Sequence, residues 1–280
     1  TRRSSDLLRI AIAGVAGRMG QALVRTALVE GHDLVGGTEV PTSPVRDTDL
    51  ARLVGLPFDL GQTPSSDVVD AARDARVWID FTRPDATVAA LDALRHTPVH
   101  AVVIGTTGFD AKEEARIARA AKDMAIVKAG NFSLGVNLLT ALTRLAAARL
   151  GPDWDAEILE THHRHKQDAP SGTALMLGQA VAEGRRQTLP DLQAAPYDGP
   201  DARREEGRIG FAVRRSGGVV GEHEVTFASE REVIALGHQA LDRTVFAAGA
   251  LHAARWAMGE APGLYDMEDV LDLKGLGQNT

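Results

Sequence analysis

Leu8-Arg9-Ile10-Ala11-Ile12-Ala13-Gly14-Val15-Ala16-Gly17-Arg18-Met19-Gly20 decides the fold. Its first six residues form a short, mostly apolar run of strand length. The glycines that follow can turn the chain tightly into a helix, expected from about Arg18 to Glu30 with Gly31 as its stop. A helix start offers N–H groups without intrahelical partners and a partial positive charge, so a phosphate can sit there, and glycines let it approach the backbone. The spacing G-x-x-G-x-x-G is a variant of the dinucleotide fingerprint. A second strand, Asp33 to Gly37, is followed by Glu39, where an acid can accept hydrogen bonds from ribose hydroxyls. A tight turn with no ligand is the plain alternative. The strand–turn–helix–strand–acid context favours a nicotinamide dinucleotide, NADH or NADPH, held by Gly14, Val15, Ala16, Gly17, Arg18, Met19 and Glu39.

The alternation continues downstream. Val77-Trp78-Ile79, ending at Asp80, Val99 to Ile104 and Ala125 to Lys128 read as buried strands. Helices from Pro84 to about Arg95 and from Asp110 to about Lys122 separate them, while residues 41–66 read mostly as loop. Strands alternating with helices through short turns imply an α/β fold of Rossmann type, a doubly wound parallel sheet covered on both faces. Ligands of such sheets bind at the carboxyl ends of the strands. Two loops lie there, Gly105-Thr106-Thr107 and Ala129-Gly130-Asn131-Phe132, whose small residues and hydroxyls suit a flat nicotinamide ring; ordinary turn chemistry is the alternative for each.

After Phe132 the pattern changes. A helix at Leu134–Leu150, a strand at Ala156–Thr161 and a helix from Ser171 to about Arg186 lead into a loop-like stretch, 188–207. Three candidate strands follow, Arg208–Arg215, Val219–Ala228 and Glu232–Ala235, the first two joined by Gly217-Gly218 as a hairpin. This predicts a second, α+β domain with an open mixed or antiparallel sheet. A last helix spans about Leu241–Met258. The change of pattern after Phe132 sets a domain boundary between residues 1–132 and the α+β part that follows. Apolar positions such as Val213, Val225 and Phe227 on the open sheet are expected to face partner subunits.

Composition narrows the functions. At about 150 residues per domain, 280 residues make about two. A net charge of −7 with no dense Lys/Arg run argues against a nucleic-acid partner. The absence of cysteine removes disulfides, thiolate metal sites and a cysteine nucleophile, and fits a cytoplasmic protein. A polar start, Thr1 to Asp6, and no apolar run of spanning length argue against a signal peptide or a membrane partner. Lysine occurs only as Lys112, Lys122, Lys128, Lys166 and Lys274, so arginine supplies the other 26 of 31 cations. A lysine in a polar cluster therefore stands out.

Such a cluster is Glu160-Thr161-His162-His163-Arg164-His165-Lys166-Gln167-Asp168-Ala169-Pro170-Ser171-Gly172-Thr173-Ala174. It follows a strand and ends at a helix start with Ser171 as a possible cap. Backbone amides there can bind a carboxylate, imidazoles and an ammonium add charge, and the same groups can deliver a proton near neutral pH. A zinc site is disfavoured, because the H-E-x-x-H spacing and cysteine are missing and a neighbouring lysine repels metal. A solvated polar loop is the bland alternative.

Glu160-x-His162-His163-x-x-Lys166-x-Asp168-Ala169-Pro170-Ser171-Gly172-Thr173-Ala174 resembles the signature of the dihydrodipicolinate reductase family. So do Gly14-x-x-Gly17-Arg18-Met19-Gly20, Asp80-Phe81-Thr82, Gly105-Thr106-Thr107-Gly108, Asn131-Phe132-Ser133-x-Gly135-Val136-Asn137, Val220-Gly221-Glu222-His223 and Gly263-Leu264-Tyr265-x-Met267. The resemblance covers nearly the whole chain. It implies a dinucleotide-binding domain of residues 1–132 completed by 241–280, a substrate-binding and oligomerisation domain of residues 133–240 that builds a homotetramer, and reduction of a cyclic imine dicarboxylate to tetrahydrodipicolinate on the diaminopimelate route to lysine. By resemblance His162 and Lys166 handle the proton, and His163, Gly172 and Thr173 bind the substrate. Some members carry an arginine directly after the ribose-binding acid, suited to NADPH; here Val40 follows Glu39 and the next cation is Arg46, so NADH is expected to serve at least as well. An aspartate-semialdehyde type of dehydrogenase would need a thiol that this chain lacks. A non-catalytic nicotinamide sensor would leave the His/Lys cluster unexplained.

Overall fold

The computed structural model describes residues 7–276; Thr1–Asp6, expected to be polar, and the last four residues of the tail lie outside them. The described chain divides into two compact units, one running to Ser133 and taking back Thr244–Val270, the other comprising Leu134–Arg243 with Leu271–Leu276. Leu241–Arg243 and Leu271–Leu276 group with the second unit.

In the first unit the elements are β1 (Arg9–Ala13), α1 (Arg18–Val29), β2 (Asp33–Thr38), the short helices α2 (Leu50–Leu53) and α3 (Val68–Ala71), and β3 (Val77–Asp80). Then come α4 (Pro84–Leu94), β4 (Ala101–Ile104), α5 (Ala111–Ala120) and β5 (Ala125–Lys128). In the second unit α6 (Leu134–Leu150), β6 (Asp155–His162), α7 (Gly172–Gly184), α8 (Leu189–Leu192), β7 (Ile209–Arg215), β8 (Gly221–Ala228) and β9 (Val233–Ala240) follow. The chain then supplies α9 (Thr244–Ala257), β10 (Gly263–Tyr265) and α10 (Met267–Val270).

The first sheet is parallel throughout and ordered β10-β5-β4-β3-β1-β2. Strands β3 and β4 are buried at every position, as continuous apolar runs in a doubly covered sheet must be. Under its helices lies a core that includes Trp78, Val88, Leu91, Leu94, Val102, Ile104, Ile117 and Ile126. The strand order reverses between β1 and β3, the crevice where open α/β sheets take ligands. β10 escaped the sequence reading because three residues carry almost no periodic signal; it pairs along Ala125–Val127. Among the described residues no helix is long and apolar enough to cross a membrane.

Two glycines fix how closely the layers approach. A Cβ built on Gly20 would stand 2.1 Å from the Gly14 carbonyl oxygen, so only glycine lets α1 start against the turn after β1. A Cβ on Gly249 would stand 1.7 Å from the Phe132 carbonyl oxygen, which lets α9 lie against the loop after β5.

The second sheet is ordered β7-β6-β8-β9 and is mixed: β7 runs parallel to β6, whereas β8 runs antiparallel to both β6 and β9. The expected Gly217-Gly218 hairpin between β7 and β8 is therefore corrected. β6 lies between them, and the turn is instead tied to the end of β6, Ser216 N donating to His162 O and Arg164 N to Gly217 O. The hairpin is β8–β9, and β9 runs on to Ala240 rather than stopping at Ala235; most of its side chains are exposed, so its sequence shows little alternation. Helices α6 and α7 cover one face. Val225 and Phe227, expected to meet partner subunits, are fully buried in this chain's own core with Ile158, Leu177, Val181 and Ile209. By register the other face carries Leu159, Thr161, Glu222, Glu224 and Gln239.

Gly20→Ala should cost about 1–3 kcal/mol, the range for forcing a methyl group into packed backbone. Gly17→Ala, whose Cβ would be 3.2 Å from the nearest atom, should cost clearly less. Urea unfolding of both variants checks the contrast; equal costs would show that α1 does not depend on the Gly20 approach.

Candidate functional site

The carboxyl edge of the parallel sheet gathers the loops named for the cofactor. After β1, Gly14 takes φ +64° and Gly17 N donates to Gly14 O at 3.0 Å, closing the turn. No side chain caps α1, which leaves its first-turn N–H groups turned toward any anion placed there. Glu39, just after β2, is already anchored: its carboxylate accepts from Ala16 N at 2.9 Å and Val40 N at 3.0 Å. This fixes an acid beside the glycine turn with lone pairs to spare for hydroxyl donors. Val40 is exposed, and Arg46 donates to Pro41 O at 3.3 Å in the same loop.

On the other side of β1 lies Asp80, at the end of β3 and 1% exposed. One of its oxygens accepts from Thr82 N at 2.9 Å, Thr82 Oγ1 at 2.6 Å and Thr106 Oγ1 at 3.3 Å; the other is buried with no partner. Thr82 in turn packs on Gly14, where a Cβ would stand 2.8 Å from its methyl group. Thr106 is buried and also accepts from Thr87 Oγ1 at 3.0 Å, while Thr107 is exposed. Phe81 lies on Gly105 and against Phe132, ring centroids 5.4 Å apart. Ala129 N donates to Ile104 O and Ser133 N to the Asn131 side chain, which fixes the loop after β5; Gly130 is open on its outer side apart from the Thr107 methyl at 4.0 Å. An uncapped helix start, an anchored acid, a positive-φ glycine and an orphaned buried carboxylate oxygen fit a dinucleotide in this unit. Asp80 and Thr82 had been legible only as part of a motif, with no role attached.

The polar cluster belongs to the second unit. Ser171 caps α7 through Ala174 N at 3.2 Å, so the Gly172–Thr173 start presents the helix's positive end. A Cβ built on Gly172 meets nothing within 4 Å, leaving open space at that start. Lys166 is tied to the same turn as His163, its N–H donating to His163 O at 3.1 Å, and its ammonium lies 2.9 Å from Asp168. That ammonium holds the Asp168 carboxyl below its usual range. Arg243 donates to His163 Nε2 at 3.3 Å. Burial, then Arg243, pushes the His163 imidazole below its ordinary pKa, so the ring is neutral and its Nδ1 carries the proton.

His162 is 9% exposed at the end of β6, with Nδ1 on the buried carboxylate of Glu160. Its ring meets the edge of His223 at 5.1 Å and 75°. His223, opposite Glu160 on β8, sits 3.1 Å from Ser171 Oγ through Nε2. Burial and then the nearby His162 depress the His223 pKa to about 4, so it is neutral near pH 7. His162, His163, Lys166 and the start of α7 thus come together at one end of the second sheet. Glu160, Asp168, His223 and Arg243 join them. Glu160 was discoverable two positions before His162, on the same face of a strand; His223 and Arg243 were not, because cross-strand register and long-range approach leave no local trace.

Comparison with known proteins agrees with this layout. Family models described as dihydrodipicolinate reductase, N-terminus, and dihydrodipicolinate reductase, C-terminus, match residues 8–132 and 135–271. The 4-hydroxy-tetrahydrodipicolinate reductase of Parvibaculum lavamentivorans is 52% identical over 270 residues, covering 95% of this chain and 98% of its own. That of Brucella abortus is 48% identical over 268 residues, covering 94% and 98%. The dipicolinate-bound dihydrodipicolinate reductase of a Paenisporosarcina species superposes with a TM-score of 0.75 at 27% identity, covering 94% of this chain and 99% of that one. An amine dehydrogenase from Mycobacterium smegmatis, at TM-score 0.62 and 16% identity, shares the fold alone. With both halves matched and half the residues identical to a full-length relative, the chain belongs to the dihydrodipicolinate reductase family.

Proposed function

We propose that this chain reduces the cyclic imine dicarboxylate of the diaminopimelate route, using His162 and Lys166 for the proton and the α7 start for a substrate carboxylate. The bound nicotinamide supplies the hydride. Loss of water from hydroxy-tetrahydrodipicolinate leaves an unsaturated imine. Hydride adds at its far carbon, the resulting enamine takes one proton, and tetrahydrodipicolinate results. The observation that carries the residue assignment is the convergence of two histidines and a lysine on a capped helix start with open space beside Gly172. Thr173 and the backbone of Gly172 bind the carboxylate, with His163 beside them. Asp168 orients the Lys166 ammonium. In the first unit Gly14 to Met19, Glu39, Gly105 to Thr107 and Ala129 to Phe132 hold the dinucleotide. The chain works in the cytoplasm as a homotetramer. Support for the assembly is the face of the second sheet opposite α6 and α7, together with the exposed edge strand β9, where Val233 is 63% and Ile234 38% exposed. Open edges of this kind need cover.

Lys166→Arg separates proton transfer from charge anchoring, because a guanidinium keeps its proton. KM should change little, while kcat falls about a hundred- to ten-thousand-fold, the usual worth of a general acid. A near-normal kcat in a variant with native circular dichroism would take Lys166 off the catalytic list. His162→Ala should lower turnover with the affinity for NADH nearly unchanged.

NADH should be used at least as well as NADPH, since Glu39 repels a 2′-phosphate and Val40 offers no compensating fork. Comparing kcat/KM for the two cofactors tests this; a tenfold preference for NADPH would show that Arg46 reaches the phosphate. Light scattering at micromolar concentration should give a mass of four chains, and a monomer would count against the assembly.

A further inference from the structure

The most heavily engaged buried side chain outside the residues already given roles is Glu160. It is 1% exposed, on β6. A buried carboxylate is costly unless its charge and lone pairs are matched. Here three elements supply the match. Ser171 N, at the cap of α7, donates to Oε1 at 3.0 Å. Arg215, at the end of β7, donates through Nη1 to Oε2 at 3.0 Å and through Nη2 to Oε1 at 3.2 Å. His162 Nδ1 sits on Oε2. Burial alone would push the Glu160 carboxyl up, but Arg215 and His162 together outweigh it and hold the group below the usual carboxylate range.

We propose that Glu160 is a positioning residue of the reduction: it fixes His162 with Nδ1 protonated and Nε2 free, and clamps the start of α7 to the same strand. The inference rests on the assignment of His162 to proton handling. An ionised carboxylate has only acceptor sites, so the His162 nitrogen facing it must carry the proton. The other nitrogen is then the one with a lone pair to use, or with the mobile proton when the ring is charged. It faces a place cleared for it. Nε2 points past Gly221 of β8, where a Cβ would stand 3.1 Å away and crowd it. The adjacent His223 presents a neutral ring edge, and its own Nε2 is occupied by Ser171 Oγ. Glu160 and His162 are two residues apart on one strand, so both face the same side and the pairing is enforced by the pleat. Because Glu160 also holds Ser171 N, the ring and the anion-binding helix start share one anchor.

The test uses histidine-labelled holoenzyme, with the His162 nitrogen signals identified by their loss in His162→Ala. At pH 9, where an imidazole is neutral, wild-type His162 should be the Nδ1–H tautomer. In Glu160→Gln the amide can present either an acceptor or a donor to Nδ1, so the tautomers should mix. Turnover of Glu160→Gln should fall at least about tenfold, by the logic of a lost orienting carboxylate. Its dissociation constant for NADH should stay within about twofold of wild type, since that site is built by the first unit. A purely structural Glu160 predicts a lower melting temperature with kcat per folded enzyme and the His162 tautomer unchanged, and that result overturns the proposal. An Nε2–H tautomer in the wild type also overturns it, and that measurement stands even if Glu160→Gln does not fold. If His162→Ala turns over as fast as wild type, both the His162 assignment and this inference fall. A slow His162→Ala beside a fast Glu160→Gln overturns the inference alone.

Discussion

Parallel strands that all end on one edge impose the arrangement of the first unit. A parallel sheet needs helices on both faces, so each strand must hand over to a loop at its carboxyl end before the chain crosses back. The loops after β1 to β5 therefore meet at one edge, where β10 also ends, whatever their sequence. What fills them here is mostly polar or small, with Phe81 and Phe132 in contact among them: Gly14–Gly20, Glu39, Asp80–Thr82, Gly105–Thr107 and Ala129–Phe132. The reversal of strand order between β1 and β3 opens the crevice beside the first and third. Close packing then does the fine placement, since Gly20 lets α1 start against the Gly14 carbonyl and Thr82 fills the space beside Gly14.

The second unit solves a different problem, that of burying charge at the end of a sheet. Glu160, His162 and His223 lie on the face that α7 covers, where an apolar residue would ordinarily be cheaper. The charge is matched by Arg215 and by the backbone at the α7 cap. The Glu160 carboxylate is matched on both oxygens, which leaves it few alternative rotamers, while His223 Nδ1 is buried without a partner. Outside this buried cluster, Lys166, Asp168 and His163 remain more exposed, Lys166 paired with Asp168 and His163 with Arg243.

The two units carry different kinds of groups. Dinucleotide recognition is mostly backbone and shape, so it tolerates plain residues such as Val15 and Ala16. Handling a dicarboxylate and a proton requires titratable groups with defined tautomers. The depressed pKa of His223, the neutral His163 under Arg243 and the ionised Glu160 are three ways in which surroundings set protonation before any substrate arrives.

Much of this was written locally. The apolar run at Ile10–Ala13, the glycine spacing, Glu39 and the alternation to Lys128 determined a parallel α/β sheet, because strand and helix periods and turn chemistry act within a few residues. The cluster from Glu160 to Ala174 was equally visible, since its residues are adjacent in sequence. Tertiary structure alone decided that β6 inserts between β7 and β8, against the hairpin expected at Gly217-Gly218. It alone turned Val225 and Phe227 into the chain's own core, and it alone brought Arg215 to Glu160, His223 to His162 and Arg243 to His163. These outcomes depend on which strands pair and on which face the helices settle. Such choices minimise buried, unpaired polar groups over the whole unit, and no window of sequence contains that sum.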